Sequence, residues 1–169
     1  VACRGLAKLD ESAQLLGAVN TVKFGPDETT GFNTDGAGFL KAVEEAFGGP
    51  VAGKSVFVLG TGGAGRAVAL ACAGAGVTAI SLCDADAARS HKLAVEIETK
   101  FFIETVNVVA IGPGQSDAAR ATDIVIQATP VGMKEGEPSL LAPDAFRKGQ
   151  WAFDLIYMYP ETAFMKAAK

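Results

Sequence analysis

Three glycines, Gly60, Gly62 and Gly65, stand at the spacing G-x-G-x-x-G within SVFVLGTGGAGRAVALACAGAG, residues 55–76. That spacing suits a dinucleotide pyrophosphate. The first glycine permits a tight strand-to-helix turn, the second lets phosphate approach the backbone, and the third lets helix and strand pack closely. A helix opening just after the turn aims its free N–H groups and the positive end of its dipole at the phosphates. Phosphate binding of this kind needs no lysine. Thr61, Gly63 and Ala64 complete the loop and join the candidate cofactor-binding residues.

Glycine accounts for 20 of 169 residues, so the spacing gains its weight from context. Val56, Val58 and Leu59 form an apolar run before it, and Ala67, Val68, Leu70 and Ala71 give a small-residue helical pattern after it. The competing reading is a glycine-rich turn in a nucleotide-free α/β sheet. A second strand-like run, 79–83, leads to Asp84, 24 positions after Gly60. An acid about 20 residues beyond the glycines binds the adenosine ribose in such folds. A carboxylate there accepts from both ribose hydroxyls of NAD and repels the 2′-phosphate of NADP. NAD is therefore the favoured cofactor, with NADP possible because Arg89 lies close by in sequence. Asp84 or Asp86 would also serve as the N-cap of a following helix.

Four further segments carry unusual polar residues: GAVNT (17–21), GFNTDG (31–36), QATPVGM (127–133) and DLIYMYPET (154–162). The last two begin at the carboxyl ends of expected strands, where open α/β sheets bind ligands. Reducing a carbonyl develops charge on oxygen and requires a hydrogen-bond donor, with a carboxylate to orient or tune it. Asp35 is a candidate for that carboxylate or, more plainly, for a helix N-cap. Asn20 suits a polar contact or a turn, and Tyr157 a site aromatic or a core aromatic beside Phe153 and Tyr159. Thr129, Pro130 and Gly132 suggest a loop shaped by its backbone, with Met133 either lining a cofactor site or filling a core gap.

These groups must be positioned by a recognisable series of elements. A helix over 1–18, a hairpin from 21–24 and 30–33 around the turn GPDE, and a helix over 35–47 come first, and GGP at 48–50 ends them. From Ser55 strands and helices alternate: strands at 55–60, 79–83, 106–110, 123–127 and 150–156, helices at 63–74, 86–99, 116–120 and from 161. This is the pattern of a Rossmann-type α/β fold, a doubly wound parallel sheet. The expected division is residues 1–50, a remnant of an α/β substrate domain, and 51–169, a dinucleotide-binding domain.

Composition narrows the function classes. Hydrophobic residues at 49% and charged residues at 20% exclude disorder, and no apolar run approaches the roughly 20 residues that span a bilayer. A net charge of −4 without a basic cluster argues against nucleic acid or anionic membrane as a partner. Cys3, Cys72 and Cys83 lack metal-ligand spacing and read as buried free thiols in a reducing cytoplasm. His91, between Ser90 and Lys92, reads as a solvated helix residue.

The ordered motifs GAVNT, G-x-NTDG, VLG-x-GGAGRA, ATPVGM and D-x-x-Y resemble the shikimate and quinate dehydrogenases. The resemblance implies reversible hydride transfer between a nicotinamide cofactor and the carbonyl of 3-dehydroshikimate or 3-dehydroquinate. It implies that Asp35 pairs with a catalytic lysine, that Asn20 hydrogen-bonds substrate hydroxyls, and that Tyr157 lies near substrate and nicotinamide. It places Met133 against the nicotinamide, and it implies a monomer or homodimer. The alternatives are a dinucleotide-binding module without chemistry, or a dehydrogenase acting on another substrate, for which Asn20 and Asp35 would have no role.

Departures from the family pattern are informative. Relatives that use NADP carry Asn-Arg-Thr where this chain reads CDADAAR, Gln127 replaces a common asparagine, and Tyr159–Pro160 replaces a usual Pro. The family's Ser-x-Ser clamp and Pro-His-Lys segment have no counterpart here, and Lys8 sits in no matching motif. The expectation is an internal piece of a longer dehydrogenase that binds NAD without turning over shikimate.

Overall fold

The computed structural model describes residues 5–169. Cys3 lies outside them. Two sheets organise the chain, one of three strands and one of five.

The small sheet is built from β1 (Lys8–Leu9), β2 (Thr21–Phe24) and β3 (Thr29–Phe32), with helix α1 (Glu11–Leu16) between the first two. β2 and β3 form the expected antiparallel hairpin, and the Gly25 N–H closes its turn onto the Glu28 carbonyl at 2.9 Å. The helix expected over 1–18 is corrected: among the described residues Lys8 and Leu9 pair in parallel with Thr30 and Gly31, and the α-helix is confined to Glu11–Leu16. Local capping sets those limits. The Asp10 carboxylate accepts the Ala13 N–H at 3.0 Å, and Gly17 ends the helix at φ +59°. Leu6 and Leu9 instead cover Gly31, where a β-carbon would come within 2.6 Å of Leu6.

Helix α2 (Asp35–Phe47) leads to the large sheet. Its elements are β4 (Ser55–Leu59), α3 (Gly63–Gly74), β5 (Ala79–Cys83), α4 (Ala87–Lys100), β6 (Thr105–Val109), α5 (Pro113–Ala121), β7 (Ile124–Gln127), β8 (Trp151–Asp154) and α6 (Ala163–Ala167). All neighbours pair in parallel in the order β6-β5-β4-β7-β8, with Leu59 beside Cys83 and Gln127. The sheet is a Rossmann-type doubly wound one, as expected. Its central strands read as nearly unbroken apolar runs because helices cover both faces. Val56, Val58, Val68, Leu70, Leu93 and Ile97 fill one face, while Phe57, Leu59, Val125, Leu141 and Phe164 fill the other.

Helix α2 shares the first of these cores through Phe39 and Val43. Gly36 makes the close approach possible, since a β-carbon there would lie 2.9 Å from that of Ala71 on α3. Phe39 meets Phe153 edge to face at 5.1 Å, and Phe47 stacks on Trp151 at 4.9 Å. The GGP segment thus separates two sheets, and one apolar core runs past it.

Candidate active site

The glycine loop joins β4 to α3 at the point where the strand order reverses, beside the loop that follows β7. Gly60 has φ +95°, and a β-carbon there would lie 2.8 Å from the Ala128 backbone. A β-carbon on Gly65 would overlap the Gly60 carbonyl oxygen. On Gly62 it would meet nothing within 4 Å. The first and third glycines are therefore demanded by the chain itself, and the second leaves the open space that a phosphate needs.

Asp84 braces this loop. Its Oδ2 accepts the Thr61 backbone N–H at 2.6 Å and the Thr61 hydroxyl at 3.0 Å, and its Oδ1 accepts the Asp86 N–H at 2.8 Å. Burial pushes the carboxyl up, but these bonds and the Arg89 charge outweigh it and hold Asp84 below the usual carboxylate range. Asp86, not Asp84, caps α4 by accepting the Arg89 N–H at 3.2 Å. Arg89 itself lies 3.7 Å from Asp84 and 3.5 Å from Asp86. An apolar cleft of about 340 Å³ runs from Gly60 and Asp84 past Ile111 to Thr129 and Pro130. On the other side of Arg89, Thr61, Gly62, Arg66 and Lys92 line a second cleft of about 500 Å³.

The QATPVGM loop is stitched by its own side chains. Buried Gln127 donates to the Val131 carbonyl at 2.7 Å and accepts from the Thr129 N–H and hydroxyl at 3.1 and 3.0 Å. Glu137, which no sequence motif singles out, accepts the Gly132 and Lys134 N–H groups at 2.8 and 3.2 Å. The Tyr159 hydroxyl donates to the Met133 carbonyl at 3.1 Å. This tie joins the loop after β7 to the loop after β8. Asp154 closes the second loop by accepting the Thr162 hydroxyl at 2.6 Å and the Ile156 N–H at 2.9 Å. Burial raises its carboxyl despite those two bonds.

Tyr157 and Met133 are not core residues, being 92% and 45% exposed. Both line a cleft of about 330 Å³ with Gly63, Ala64 and Thr129. A further cleft of about 490 Å³ shares Ala64 and Tyr157 and reaches Thr34, Asp35 and Asp154. Asp35 is the first residue of α2 rather than its cap, a position taken by Thr34. Its Oδ1 accepts the Asn20 side-chain N–H at 2.7 Å. The Asn20 oxygen accepts the Thr34 N–H at 3.1 Å and the Thr21 hydroxyl at 3.0 Å, which fixes the orientation of the amide.

The remaining candidates stand apart from these clefts. His91 is exposed on α4. Burial pushes the Cys72 thiol up to about 12, and burial together with the Asp84 charge pushes Cys83 up to about 11. Neither thiol is a nucleophile at neutral pH. Among the described residues no group of three or more His, Cys, Asp or Glu side chains is placed to hold a metal ion, and no helix is long and apolar enough to cross a membrane.

Fold and loop together define a nucleotide-binding unit of the Rossmann class, with a polar pair at the far end of its cleft. No protein-family model matches the chain. It is 38% identical over 165 residues to the shikimate dehydrogenase (NADP(+)) of Methanopyrus kandleri, an alignment covering 96% of this chain and 57% of that protein. It is 39% identical over 165 residues to the quinate/shikimate dehydrogenase (NAD(+)) of Corynebacterium glutamicum, covering 97% and 58%. The crystal structure of shikimate 5-dehydrogenase from Listeria monocytogenes in complex with shikimate and NAD superposes with a TM-score of 0.86 at 32% identity, covering 98% of this chain and 59% of that one. Along nearly its whole length in sequence, and in fold, the chain is similar to the shikimate and quinate dehydrogenases. It spans somewhat more than half the length of the relatives it matches.

Proposed function

We propose that the protein is an NAD-dependent oxidoreductase interconverting 3-dehydroshikimate and shikimate, or 3-dehydroquinate and quinate. The observation that carries this reading is the pair of clefts sharing Ala64 and Tyr157, with the glycine loop on one side and Asp35 on the other. The loop would hold a nicotinamide dinucleotide, which would supply the hydride chemistry. The first turn of α3 meets its phosphates with backbone N–H groups, and Gly62 leaves room for them.

At the substrate end, Asn20 keeps one side-chain N–H, and Asp35 keeps Oδ2, outside the bonds described above. A donor and an acceptor side by side match the vicinal hydroxyls of a polyhydroxylated ring. Tyr157 and Met133, with Thr129 beside them, would line the place where ring and nicotinamide meet. The carbonyl oxygen needs a proton in the reductive direction, and Asp35 is the carboxylate that orients its donor. Among the described residues no lysine or arginine forms an ion pair with Asp35, and in the family pattern a lysine fills that place.

Cofactor choice follows from Asp84. A carboxylate already held anionic disfavours a 2′-phosphate beside it, and the basic groups on that side of the loop are Arg89, which Asp84 and Asp86 engage, Arg66, which Glu96 engages, and Lys92. The net charge of −4 and the buried thiols support a cytoplasmic protein that handles small molecules rather than nucleic acid or membrane, and the resemblance implies a monomer or homodimer. Calorimetric titration with NAD and NADP, followed by assays with shikimate and quinate with and without the lysine-bearing segment of a relative, tests the reading. Absence of NAD binding would overturn it.

A further inference from the structure

Arg66, Glu96 and Lys100 form a network that the cofactor cradle does not itself require. Arg66 lies in the first turn of α3, four residues after Gly62. Its Nε and Nη2 donate to the two Glu96 carboxylate oxygens at 2.9 and 2.7 Å, the forked geometry that gives arginine–carboxylate pairs their strength. Lys100, one turn further along α4, donates to the same Glu96 at 2.6 Å. Both cations also reach out of the large sheet's helices. Arg66 Nη1 donates to the Leu16 carbonyl, and Lys100 Nζ to the Leu15 carbonyl at 3.2 Å. Those carbonyls are among the free acceptors at the C-terminus of α1, where positive charge also complements the helix dipole.

The segment leaving α1 gives the contact its significance. Three residues beyond Gly17 stands Asn20, whose backbone N–H donates to Phe32 at 3.1 Å and whose side chain holds Asp35. The same Arg66 lines the cleft beside Gly62 and Gly63. One guanidinium therefore touches the end of the helix that delivers Asn20 while standing beside the phosphate loop. The Arg66–Glu96 pair is mostly shielded, with side chains 31% and 19% exposed, so it is less screened than a surface pair. The Lys41–Glu45 pair, at 3.8 Å and mostly exposed, is the contrast within the same molecule.

We infer that Arg66, Glu96 and Lys100 are positioning residues, a clamp that fixes the Asn20–Asp35 pair relative to the phosphate cradle and couples the two. The inference rests on the proposed reading that these two ends share one substrate and cofactor. Nuclear magnetic resonance on the whole chain tests it through two signals of Asn20. In Glu96→Ala and Arg66→Ala the Asn20 backbone amide should exchange with solvent about tenfold faster, the loss of about 1.4 kcal/mol of local protection. Glu96→Gln, which keeps the shape and one acceptor, should fall between these and the parent, and Lys41→Ala should match the parent. NAD should shift the Asn20 side-chain amide signals in the parent and leave them unmoved in Glu96→Ala, while NAD affinity stays within about twofold.

Should the alanine variants fail to fold, Glu96→Gln decides by the same two signals. Parent-like exchange in the folded variants, an Asn20 signal in the parent that ignores bound NAD, or a tenfold loss of NAD affinity in Glu96→Ala would each overturn the clamp. Failure of the functional reading looks different: the parent would bind no NAD, and the exchange measurement would still judge the clamp.

Discussion

Asn20 donates its side-chain N–H to the Asp35 carboxylate at 2.7 Å, joining the segment before the small hairpin to the start of α2 after it. The Asn20 oxygen is used by Thr34 and Thr21, and Asn33 Oδ1 accepts the Asp35 backbone N–H at 3.1 Å. Both residues are exposed, yet the bonds around them leave little rotational freedom. An exposed pair held this firmly suits the substrate contact proposed for it.

Replacing Asp35 by alanine should therefore separate binding of the two ligands. NAD affinity is expected to stay within about twofold, because Asp35 lines a cleft that meets the glycine loop at Ala64 alone. Turnover by a complete enzyme carrying this chain should fall by about a hundredfold or more, the scale of a group that supports proton transfer. Calorimetry and steady-state rates measure the two effects; an equal loss in both would remove Asp35 from the substrate end.

Gly65→Ala makes the opposite separation. Its β-carbon would overlap the Gly60 carbonyl oxygen, so either the loop or the start of α3 must move. The movement should cost about 1–3 kcal/mol of stability, as overpacking does, and NAD binding should become undetectable. Gly62→Ala has open space around it and should leave the melting temperature nearly unchanged while still weakening NAD. A Gly62 variant that binds NAD as well as the parent would show that phosphate does not pass there.

Asp84 connects cofactor choice to pH. Its carboxyl lies below the ordinary 3.8, so folding and loop order gain from its ionised form. That contribution is complete above about pH 4, the unfolded value, and is lost as pH falls through the lower folded value. Asp84→Asn should remove this acid-limb dependence, observable in melting temperatures taken between about pH 2 and 5. The same variant should narrow the preference for NAD over NADP by about tenfold, since one negative charge no longer faces the 2′-phosphate. An unchanged preference would assign Asp84 to loop bracing alone.

The large sheet was readable because its strands are apolar runs at regular intervals and its glycines have one stereochemical purpose each. Asn20 and Asp35 could be singled out by type and by resemblance, whereas their mutual bond could not, because fifteen residues and a hairpin lie between them. The start of the chain misled for a related reason. Leu6, Leu9, Ala13 and Leu16 fit a helical period, but Leu6 and Leu9 are half-buried against Gly31 on a neighbouring strand, a contact invisible to local periodicity. Glu137 and Glu96 belong to no sequence motif. Their roles depend on which backbone N–H or guanidinium the fold brings to them.

Tyr159 is the departure from the family pattern with the clearest structural consequence. Its hydroxyl ties the loop after β8 to the Met133 carbonyl, across from the cleft shared by Met133 and Tyr157. The bond is neutral and partly exposed, so Tyr159→Phe should lower stability by no more than about 1 kcal/mol. Its larger effect should fall on ligand binding, because the two loops proposed to hold the nicotinamide side would no longer be fixed to each other. NAD should dissociate several-fold faster, with association little altered, as expected when a bound site loses rigidity rather than charge. Stopped-flow measurement of both rates decides this; a variant that changes association alone, or neither rate, would show that Gln127 and Glu137 suffice to hold the loop.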